Sequence, residues 1–591
     1  MCGLAGVAGP ASPRDLHGAL AVLDHRGPDG AGQHLSQEPP FVVAHTRLAI
    51  NDLSSAGDQP LYNEDRSLGL ILNGEIYNSP ALRTMCESRG HQFMSQSDAE
   101  VVLHLWEDEG EACLERLNGI FAFVIFDMRI GRLTIVRDPL GVKPMFWSTD
   151  GESLWFASEL RALRRIGAPI GEFDPVALAQ FLTFLWVPGP RTPFVGVRSL
   201  DPGWLIRYSA AGIEHVRYSA LTLDGDPDEG VDPHAAANRV VELLFEAVQR
   251  QLLSDVPVGL MASGGVDSSL IWWASRDTLS RAFTIDWAPG VEEGFGEDTA
   301  AVRTLGGLFG TEVEYVAPPS GDVLRLLPAG DLFADPAVEL TRRISASAAD
   351  RGLKVLFSGQ GGDELFGGYR RHVIGPRAAG LGAPLAAPAS RLLSAIGRGG
   401  TRVEYSARLL RALSRHDVFD SYMTLCSYSD AEDRAEILGC TTAEVSDEVV
   451  WQTHREVFDR TPSTWSLLRR FRALDLAVYL PGLGLAYADR AGMHESVEVR
   501  VPFLDLDLVR FAQHLPDSML VAGGRAKVLL RAAGLRLLPQ SVLRRPKRPF
   551  GVPAAQLGTA PIRSSRGFRQ ARYLGSAALV LDRWTHEVNR Y

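Results

Sequence analysis

The chain has 591 residues, of which 46% are hydrophobic and 22% are charged, and its formal net charge is −11. At about 100–200 residues per domain, this length predicts two to four domains, and the composition is typical of a soluble globular protein. The negative charge argues against a nucleic-acid partner that is held by bulk electrostatic attraction.

The cysteines and the apolar runs bear on where the protein works. Five cysteines, Cys2, Cys86, Cys113, Cys426 and Cys440, show neither C-x-x-C nor His-rich spacing, so the sequence predicts neither a zinc site nor a disulfide framework. Apolar runs of about 18 residues are absent, which argues against a membrane partner, and the N-terminus lacks the basic segment of a secretory signal. We therefore expect a cytoplasmic protein.

Lysine is rare in this chain. Nearly every positive charge is an arginine, and the lysines are Lys143, Lys354, Lys527 and Lys547. A surface cation would be an arginine in such a chain, so each lysine is a candidate for a role that needs a compact, titratable ammonium.

The first 220 residues have the pattern of short strands separated by turns. β-Branched and aromatic residues between Asp and Gly turns predict strands over 41–45, 68–72, 121–126, 133–136 and 154–157. Apolar spacing predicts a helix over Asp98–Glu109. We expect an α+β domain with an antiparallel sheet core over residues 2–220, followed by an acidic, turn-rich linker over 221–234.

The first domain also carries a set of residues suited to amide hydrolysis, in the segments His25-Arg-Gly-Pro-Asp-Gly30 and Leu72-Asn-Gly-Glu-Ile-Tyr-Asn78 among others. Removal of Met1 would give the Cys2 thiol a free α-amine as its general base. Arg47 can clamp a carboxylate, Glu75 and Asp98 can hold an ammonium, and Asn73 with Gly74 can form an oxyanion hole. Taken singly, each has a structural alternative, such as a surface ion pair, a helix N-cap or a hairpin turn.

After the linker, helices and strands alternate. The pattern predicts helices over 235–253, 268–275, 298–309 and 339–351 and strands over 256–262, 281–287, 312–316 and 354–357. This alternation indicates an α/β domain with a parallel sheet over residues 235–591, largely helical from about 375 to 560. Ligands bind such sheets at the carboxyl ends of the strands.

Two Gly-rich loops follow strands of this sheet, Ser263-Gly-Gly-Val-Asp-Ser-Ser269 and Ser358-Gly-Gln-Gly-Gly-Asp363. Bare backbone N–H groups and hydroxyls in the first loop suit a pyrophosphate, and Asp267 can reach a Mg²⁺ bound to it. This loop contains no lysine, so it is not the common phosphate loop. It indicates cleavage of ATP to AMP and pyrophosphate, with a plain Gly/Ser turn as the alternative.

These segments resemble a class II glutaminase domain of the N-terminal nucleophile type, followed by the ATP-pyrophosphatase domain of glutamine-dependent asparagine synthetases. The similarity covers nearly the whole chain and preserves motif order and spacing. In that family the N-terminal cysteine releases ammonia from glutamine through a thioester, and the ammonia passes through an internal tunnel to a carboxylate activated as an acyl-adenylate. The resemblance implies ATP and Mg²⁺, L-glutamine, a small carboxylic acid and a homodimer.

The resemblance also assigns roles to individual residues. It implies that Cys2, Asn73, Gly74 and Lys527 are catalytic and that Asp267 and Asp363 share Mg²⁺. Glutamine would be bound by Arg47, Leu48, Ile50, Asn73, Gly74, Glu75 and Asp98. ATP and pyrophosphate would be bound by Met261, Ser263, Gly264, Gly265, Asp267, Ser268, Ser269, Ile285, Ser358, Gly359 and Lys527. Lys547 is a further candidate contact, and Gln360 and Arg490 would line the acceptor site.

One position departs from the family. Asparagine synthetases have Ser-Gly-Glu-Gly where this chain has Ser358-Gly359-Gln360-Gly361. Gln360 keeps the shape and hydrogen bonding of the glutamate but takes up no proton near neutral pH, and loss of a positioned acid–base group costs about 10²–10⁴-fold in rate. Either another residue does that work for aspartate, or the acceptor is a different carboxylic acid.

Two other functions stay open. One is an ATP-dependent cyclase that joins an internal amine to its own carboxylate, as in lactam-forming relatives, although those commonly lose the nucleophilic cysteine. The other is a non-catalytic regulatory relative, which Gln360 alone suggests. A phosphoribosyl-transferring amidotransferase would share the glutaminase half but would not carry the loop 263–269.

Overall fold

The computed structural model describes residues 2–13, 15–221, 226–289, 291, 295–320, 330–396, 401–546, 550–553 and 573–588. Lys547 and residues 222–225 of the expected linker lie outside this set.

Two six-stranded antiparallel sheets make up the first domain. Its strands are β1 Gly3–Ala8, β2 Gly30–Gln37, β3 Pro40–Arg47, β4 Leu61–Tyr62, β5 Leu68–Ile76, β6 Gly119–Asp127, β7 Arg132–Arg137, β8 Phe146–Thr149, β9 Leu154–Ala157, β10 Arg198–Ser199, β11 Trp204–Ser209 and β12 Gly212–Arg217. One sheet has the order β10-β8-β9-β1-β3-β2 and the other β12-β11-β7-β6-β5-β4. The five strands expected from the sequence are all present.

The two sheets pack face to face and are covered by helices on their outer sides. Leu4, Phe41, Ile71 and Phe126 belong to the apolar layer between the sheets. Helices α1 (His17–Leu23), α2 (Ser79–Ser88), α3 (Glu100–Glu109), α4 (Leu160–Arg165) and α5 (Pro175–Phe184) belong to this domain. Apolar residues of α1, α4 and α5 pack on the first sheet and those of α2 and α3 on the second, which confirms the α+β fold.

Helix α3 begins two residues later than expected. The Asp98 carboxylate accepts a hydrogen bond from the backbone N–H of Ile76 at 2.6 Å, so this residue is tied to β5. The helix ends as expected at Gly110, whose φ of 57° suits a residue without a Cβ.

A five-stranded parallel sheet forms the centre of the second domain. Its strands are β13 Val258–Met261, β14 Arg281–Ile285, β15 Val313–Val316, β16 Val355–Phe357 and β17 Glu498–Arg500, in the order β15-β14-β13-β16-β17. The first four confirm the sequence prediction, and β17 was missed because three residues show no alternation. Strands β13 and β16 are neighbours, so the two Gly-rich loops that follow them meet at one edge.

Most of the second domain is helical. Asp232 caps the first helix by accepting the N–H of Ala235 at 2.7 Å, with Pro233 at its first position. A π-helix, Asp475–Gly484, and a small hairpin of β18 (Val521–Ala522) and β19 (Arg525–Ala526) interrupt the helical part. The helices are α6 Pro233–Gln251, α7 Val266–Ser275, α8 Phe295–Phe309, α9 Ala337–Asp350, α10 Gly362–Leu365, α11 Arg370–Ala378, α12 Ala386–Ile396, α13 Thr401–Leu413, α14 Val418–Cys426, α15 Ala431–Leu438, α16 Asp447–Val450, α17 Gln452–Arg460, α18 Leu467–Leu474, α19 Leu485–His494, α20 Leu506–Gln513, α21 Asp517–Leu520, α22 Val528–Gly534, α23 Gln540–Leu543 and α24 Tyr573–Val588. None of the helices described here combines the length and apolar composition that a membrane crossing requires.

The two domains share one apolar core. Leu48, Ile50 and Ile120 of the first domain pack in the same cluster as Leu260 and Phe503 of the second. The last helix, α24, returns to the first domain, where the Trp584 ring lies 5.6 Å from that of Phe194.

A buried arginine joins the domains at the end of β17. Arg500 is fully buried, and its guanidinium donates to the backbone oxygens of Gln251 and Leu253 at 2.6 and 2.7 Å and to Glu498 at 2.5 Å. It also faces the Glu75 carboxylate of the first domain at 3.4 Å. The Arg500 guanidinium is therefore stabilised by oxygen atoms of the protein itself and not by solvent.

We expect Arg500→Met to lower the free energy of unfolding by about 3–5 kcal/mol, because it removes the guanidinium that pairs with the buried Glu498 and Glu75 carboxylates. The matched control is Arg239→Met on the surface of α6, where Arg239 pairs with the exposed Glu242, and there the change should stay within about 0.5 kcal/mol. Urea unfolding monitored by tryptophan fluorescence measures both. Equal stability of the two variants would contradict this role of Arg500.

Candidate active site

The predicted nucleophile lies on a strand beside the predicted oxyanion donors. Cys2 is buried at the start of β1, and its backbone N–H donates to Asn73 Oδ1 on β5 at 3.1 Å. Asn73 is fully buried, and its Nδ2 has no hydrogen-bond partner among the described residues. A buried amide donor without an acceptor is costly, so the geometry favours an oxyanion at this place. Gly74 follows with a φ of 145°, where an added Cβ would overlap the carbonyl oxygen of Ile120.

Arg47 lies in this pocket with its hydrogen-bonding capacity already used. Its Nη1 donates to the backbone oxygen of Ser54 at 2.7 Å and to the half-exposed Asp58 carboxylate at 2.8 Å, and its Nη2 donates to the backbone oxygen of Asp52. A glutamine carboxylate would therefore compete with Asp58 for this guanidinium. Leu48 and Ile50 are buried beside it, in the apolar cluster shared by the two domains.

Two buried carboxylates stand close together in the same pocket. Burial raises the pKa of Glu75 well above its usual value, and the charge of Asp98 raises it further. Burial also raises the pKa of Asp98, against the hydrogen bond from the Ile76 N–H. Burial likewise raises the pKa of the Cys2 thiol. Two carboxylates that resist ionisation favour a cationic ligand, as expected for the ammonium of an amino acid.

Serine hydroxyls of the first Gly-rich loop form hydrogen bonds within the loop. Ser263 Oγ and Ser268 Oγ are 3.0 Å apart, and Ser269 Oγ donates to the backbone oxygen of Gly265 at 2.7 Å. Gly264 has a φ of 66°, and Arg545 donates to its carbonyl oxygen at 3.0 Å. The loop leads directly into α7, so the helix N-terminus faces the place predicted for pyrophosphate.

Asp267, Asp363 and Lys527 meet where the two loops converge. Lys527 Nζ lies 2.6 Å from Asp363 Oδ1 and contacts Asp267 Oδ2. Asp267 Oδ1 is buried and has no hydrogen-bond partner in the described chain. Lys527 itself has a φ of 55°, a left-handed conformation that residues with a Cβ seldom adopt. Two carboxylates around one cation form a donor set that fits Mg²⁺.

Several residues predicted to bind ATP line the neighbouring space, together with Trp287 and Arg545. Ile285, Trp287, Lys527 and Arg545 border a cavity of about 110 Å³ next to the first loop. Met261, Ser358 and Gly359 border the adjoining larger cavity, and Ser358 N–H donates to the backbone oxygen of Arg500 at 2.8 Å.

The larger cavity, of about 430 Å³, extends from Asp267 and Asp363 past Gln360 and is lined by aromatic residues, Phe295, Tyr369, Tyr428, Tyr479, Tyr487, Phe550 and Tyr573. We call it the acceptor cavity. Gln360 Nε2 donates to the backbone oxygen of Gly484 at 2.8 Å. The acceptor cavity also contains Asp335 and Glu364, and burial raises their pKa values to about 6 and about 7.

Arg490 departs from the prediction that it lines the acceptor site. Its guanidinium pairs with Asp331 and with Asp489, the latter at 2.7 Å, and it borders a separate cavity with Arg137 and Phe146. The side chain turns away because two buried carboxylates near the first domain attract it. Its neighbour in the sequence, Tyr487, occupies the acceptor cavity instead.

The sequence analysis did not assign to any residue a role in linking the two sites. Arg26 pairs bidentately with Asp489 at 3.0 and 3.2 Å and also donates to the Cys2 carbonyl oxygen at 3.1 Å. Lys143 is fully buried, with its Nζ 3.9 Å from Glu498. The rarity of lysine had marked Lys143 as a candidate for a special role, without indicating which role.

The two folds and the two residue clusters fit a class of two-domain enzyme, in which a glutaminase-type domain is joined to a domain of the ATP-pyrophosphatase type. Comparison with known proteins agrees with this class of enzyme. A family model described as "Glutamine amidotransferase domain" matches residues 1–219, and one described as "Asparagine synthase" matches residues 239–567.

Relatives match over most of the chain. "Asparagine synthetase [glutamine-hydrolyzing] 1" of Bacillus subtilis (strain 168) is 30% identical over 94% of this chain and 87% of its own length. "Putative asparagine synthetase [glutamine-hydrolyzing]" of Mycobacterium tuberculosis (strain ATCC 25618 / H37Rv) is 30% identical over 94% of this chain and 88% of its own. This chain therefore belongs to the glutamine-hydrolysing asparagine synthetase family and is a carbon–nitrogen ligase of that family.

We expect Asn73→Ala to lower kcat for glutamine hydrolysis by about 10²–10³-fold, because one oxyanion donor is lost. Synthesis supplied with ammonia should keep its wild-type rate, and this serves as the internal control for folding. Glutamate release and AMP formation measure the two activities. A parallel loss of both would show that Asn73 supports the fold rather than the oxyanion.

Proposed function

We propose that the protein hydrolyses glutamine at Cys2 and uses the ammonia to convert a carboxylic acid into its amide, with ATP cleaved to AMP and pyrophosphate. The observation that carries the proposal is the presence, in one chain, of two arrangements. A buried cysteine lies beside Asn73, whose Nδ2 has no hydrogen-bond partner among the described residues, and an Asp267–Lys527–Asp363 cluster lies beside a Gly-rich loop. The first arrangement suits release of ammonia and the second suits adenylation.

The first half-reaction uses the pocket of Cys2. Loss of Met1 makes the Cys2 nitrogen an α-amine, which takes the thiol proton as sulfur attacks the glutamine side-chain carbonyl. Asn73 Nδ2 and the Gly74 N–H stabilise the oxyanion, and ammonia leaves as the thioester forms. Water then releases glutamate. Glu75 and Asp98 hold the ammonium of glutamine, and Arg47 holds its carboxylate once Asp58 is displaced.

The second half-reaction takes place between the two Gly-rich loops. An oxygen of the acceptor carboxylate attacks the α-phosphorus of ATP, and pyrophosphate leaves into the loop 263–269. Asp267 and Asp363 would hold Mg²⁺, which neutralises charge on the leaving pyrophosphate. Lys527 offers a mobile point charge to the phosphoryl oxygens. Ammonia attacks the acyl carbon, AMP leaves, and one proton is released with the amide.

Two features support this amidotransferase over the alternatives. A lactam-forming cyclase needs no glutamine, whereas here Cys2 lies with Asn73, Gly74, Glu75 and Asp98, the residues predicted to bind and hydrolyse glutamine. A regulatory relative needs no adenylation chemistry, whereas Asp267, Asp363 and Lys527 converge on one point. We also propose a cytoplasmic location, with five free cysteines as support, and a homodimer, which light scattering can test.

The Cys2→Ala variant should release no glutamate and should still form AMP and amide when ammonia is supplied. Cys440→Ala, which removes a partly buried thiol outside both sites, should behave as the wild type. Mass spectrometry of the intact protein should show that Met1 is absent. The amidotransferase function is wrong if the wild type releases no glutamate from glutamine.

The acceptor cavity favours an acceptor that carries an ammonium and a large apolar body. Its carboxylates Asp335 and Glu364 form no ion pair with a described lysine or arginine. Of its two arginines, Arg371 pairs with Asp475 at 2.9 Å, and Arg370 is exposed at the rim and lies over the Tyr405 ring. Uncompensated buried carboxylates repel a second carboxylate and attract a cation. The aromatic walls suit an apolar body. We therefore propose an aromatic or long-chain amino acid as acceptor, with its ammonium on Asp335.

A panel of carboxylic acids, scored by pyrophosphate release, tests this acceptor class. Amino acids with large apolar side chains should be turned over at least about tenfold faster than aspartate, because aspartate adds a second carboxylate and lacks an apolar side chain, whose full burial is worth about 1.5–3 kcal/mol. Faster turnover of aspartate would overturn the acceptor class and leave the amidotransferase function standing.

The KM for such an acceptor should fall as pH rises through about 6, because Asp335 is protonated below that pH and charged above it. Asp335→Asn should raise KM about 10- to 100-fold at pH 8 and remove the pH dependence near 6. The control is Asp277→Asn, since the Asp277 side chain is 82% exposed. An unchanged KM in Asp335→Asn would exclude the proposed contact.

A further inference from the structure

Four metal-ligating side chains meet in the first domain, in neither of the two sites described above. Glu64, His91, His104 and Glu107 each place one donor atom within 4.8 Å of the other three. We call them the His–Glu cluster. Its members come from three separate segments, so no spacing in the sequence reveals them.

The local fold brings these side chains together. His104 and Glu107 are three residues apart on α3 and therefore share one face of that helix. His91 lies in the connection from α2 to α3, and Glu64 lies in the turn between β4 and β5. The His91 and His104 rings are 4.7 Å apart, and His91 Nδ1 is 3.3 Å from Glu64 Oε1.

His104 is the member that points to a ligand. It is fully buried, and neither of its ring nitrogens has a hydrogen-bond partner within the described residues. Carboxylate oxygens flank it at 3.6 Å on both sides, Glu64 at Nδ1 and Glu100 at Nε2. An imidazole that is buried without hydrogen bonds is costly, and a metal ion on Nδ1 would remove that cost.

Neighbouring groups hold the four side chains of the His–Glu cluster in place, as is usual for the ligands of a metal ion. His91 Nε2, on the far side of the ring, is 3.1 Å from Asp108 Oδ1, and Glu100 faces the far nitrogen of His104. Metal-ligating histidines commonly carry such a carboxylate on the second nitrogen. The Gln92 N–H donates to Glu64 Oε1 at 2.9 Å, and Asn63 Nδ2 donates to Glu107 Oε2 at 3.0 Å.

We propose that the His–Glu cluster binds one divalent transition-metal ion, and Zn²⁺ best fits its donors. Two neutral imidazoles and two carboxylates supply four N and O ligands and cancel the charge of the ion. A site with four protein ligands leaves no open position for chemistry, so the ion is structural. It fastens the α2–α3 connection, which leads directly into Asp98.

Zinc titration of the metal-free protein tests the proposal. The experiment uses Cys2→Ala, to exclude binding by that thiol, with excess Mg²⁺ present to occupy the carboxylates of the second domain. One equivalent of Zn²⁺ should bind and raise the melting temperature, and Co²⁺ in its place should give the strong visible absorption of a tetrahedral site. Absence of stoichiometric Zn²⁺ binding overturns the proposal.

Variants locate the bound ion. His91→Gln, at a partly exposed position that should tolerate the change, and His104→Gln should each abolish binding, and Asp108→Asn should weaken it about 10- to 100-fold. His234→Gln, an exposed histidine at the start of α6, is the control and should bind as the parent does. Stoichiometric binding that survives both His91→Gln and His104→Gln would place the ion elsewhere and overturn the assignment.

Discussion

One buried guanidinium fixes how the two halves of this protein meet. Arg500 has no contact with solvent, so its charge has to be stabilised by groups of the protein itself. Its Nε donates to Glu498 on its own strand and its Nη1 to the backbone oxygen of Gln251 at the end of α6. Its Nη2 has no hydrogen-bond partner among the described residues and faces the Glu75 carboxylate across the domain boundary at 3.4 Å. Because a buried charge without its partners is severely destabilising, these three parts are held in one arrangement.

That arrangement has consequences for both reactions. Glu75 lies two residues after Asn73 on the same strand, so Arg500 helps to fix the register of the glutamine pocket. The backbone oxygen of Arg500 accepts the N–H of Ser358, which begins the second Gly-rich loop. A single residue thus contacts both the strand that carries Asn73 and the start of the second Gly-rich loop. The buried Arg26, Lys143 and Asp489 extend this link from the Cys2 carbonyl to α19.

Sequence patterns predicted the sheets well and the interdomain contacts poorly. Strands such as β6 and helix α6 were predictable because alternation and capping are local properties. Strand β17 is only three residues long, and its importance lies in what Arg500 contacts more than 200 residues away. The His–Glu cluster was missed for the same reason, since zinc sites are recognised in sequence by short, regular spacings. The direction of a side chain is equally hidden, as Arg490 shows by pairing with Asp331.

The scarcity of lysine was informative because it depends on the chemical difference between an ammonium and a guanidinium, and not on how residues are spaced in the sequence. Of the lysines that the structure describes, Lys527 joins two carboxylates in the adenylation site and Lys143 lies buried near Glu498. Lys354 crosses the domain boundary to Asp29 at 2.8 Å. Each position places a small ammonium beside carboxylates, where the larger planar guanidinium would need more space.

The surroundings of Gln360 suit a glutamine amide better than the glutamate carboxylate of the family. Gln360 Nε2 donates to the carbonyl oxygen of Gly484, the last residue of the π-helix. A carboxylate in the same position would face that carbonyl oxygen with no proton to share and would be repelled. π-Helices are rare and occur mostly at functional sites. The hydrogen bond therefore ties the Gln360 amide to an element that is typical of such sites. Position 360 therefore has no side chain that exchanges a proton near neutral pH. In the acceptor cavity Asp335 and Glu364 can do so, because burial raises their pKa values to about 6 and about 7.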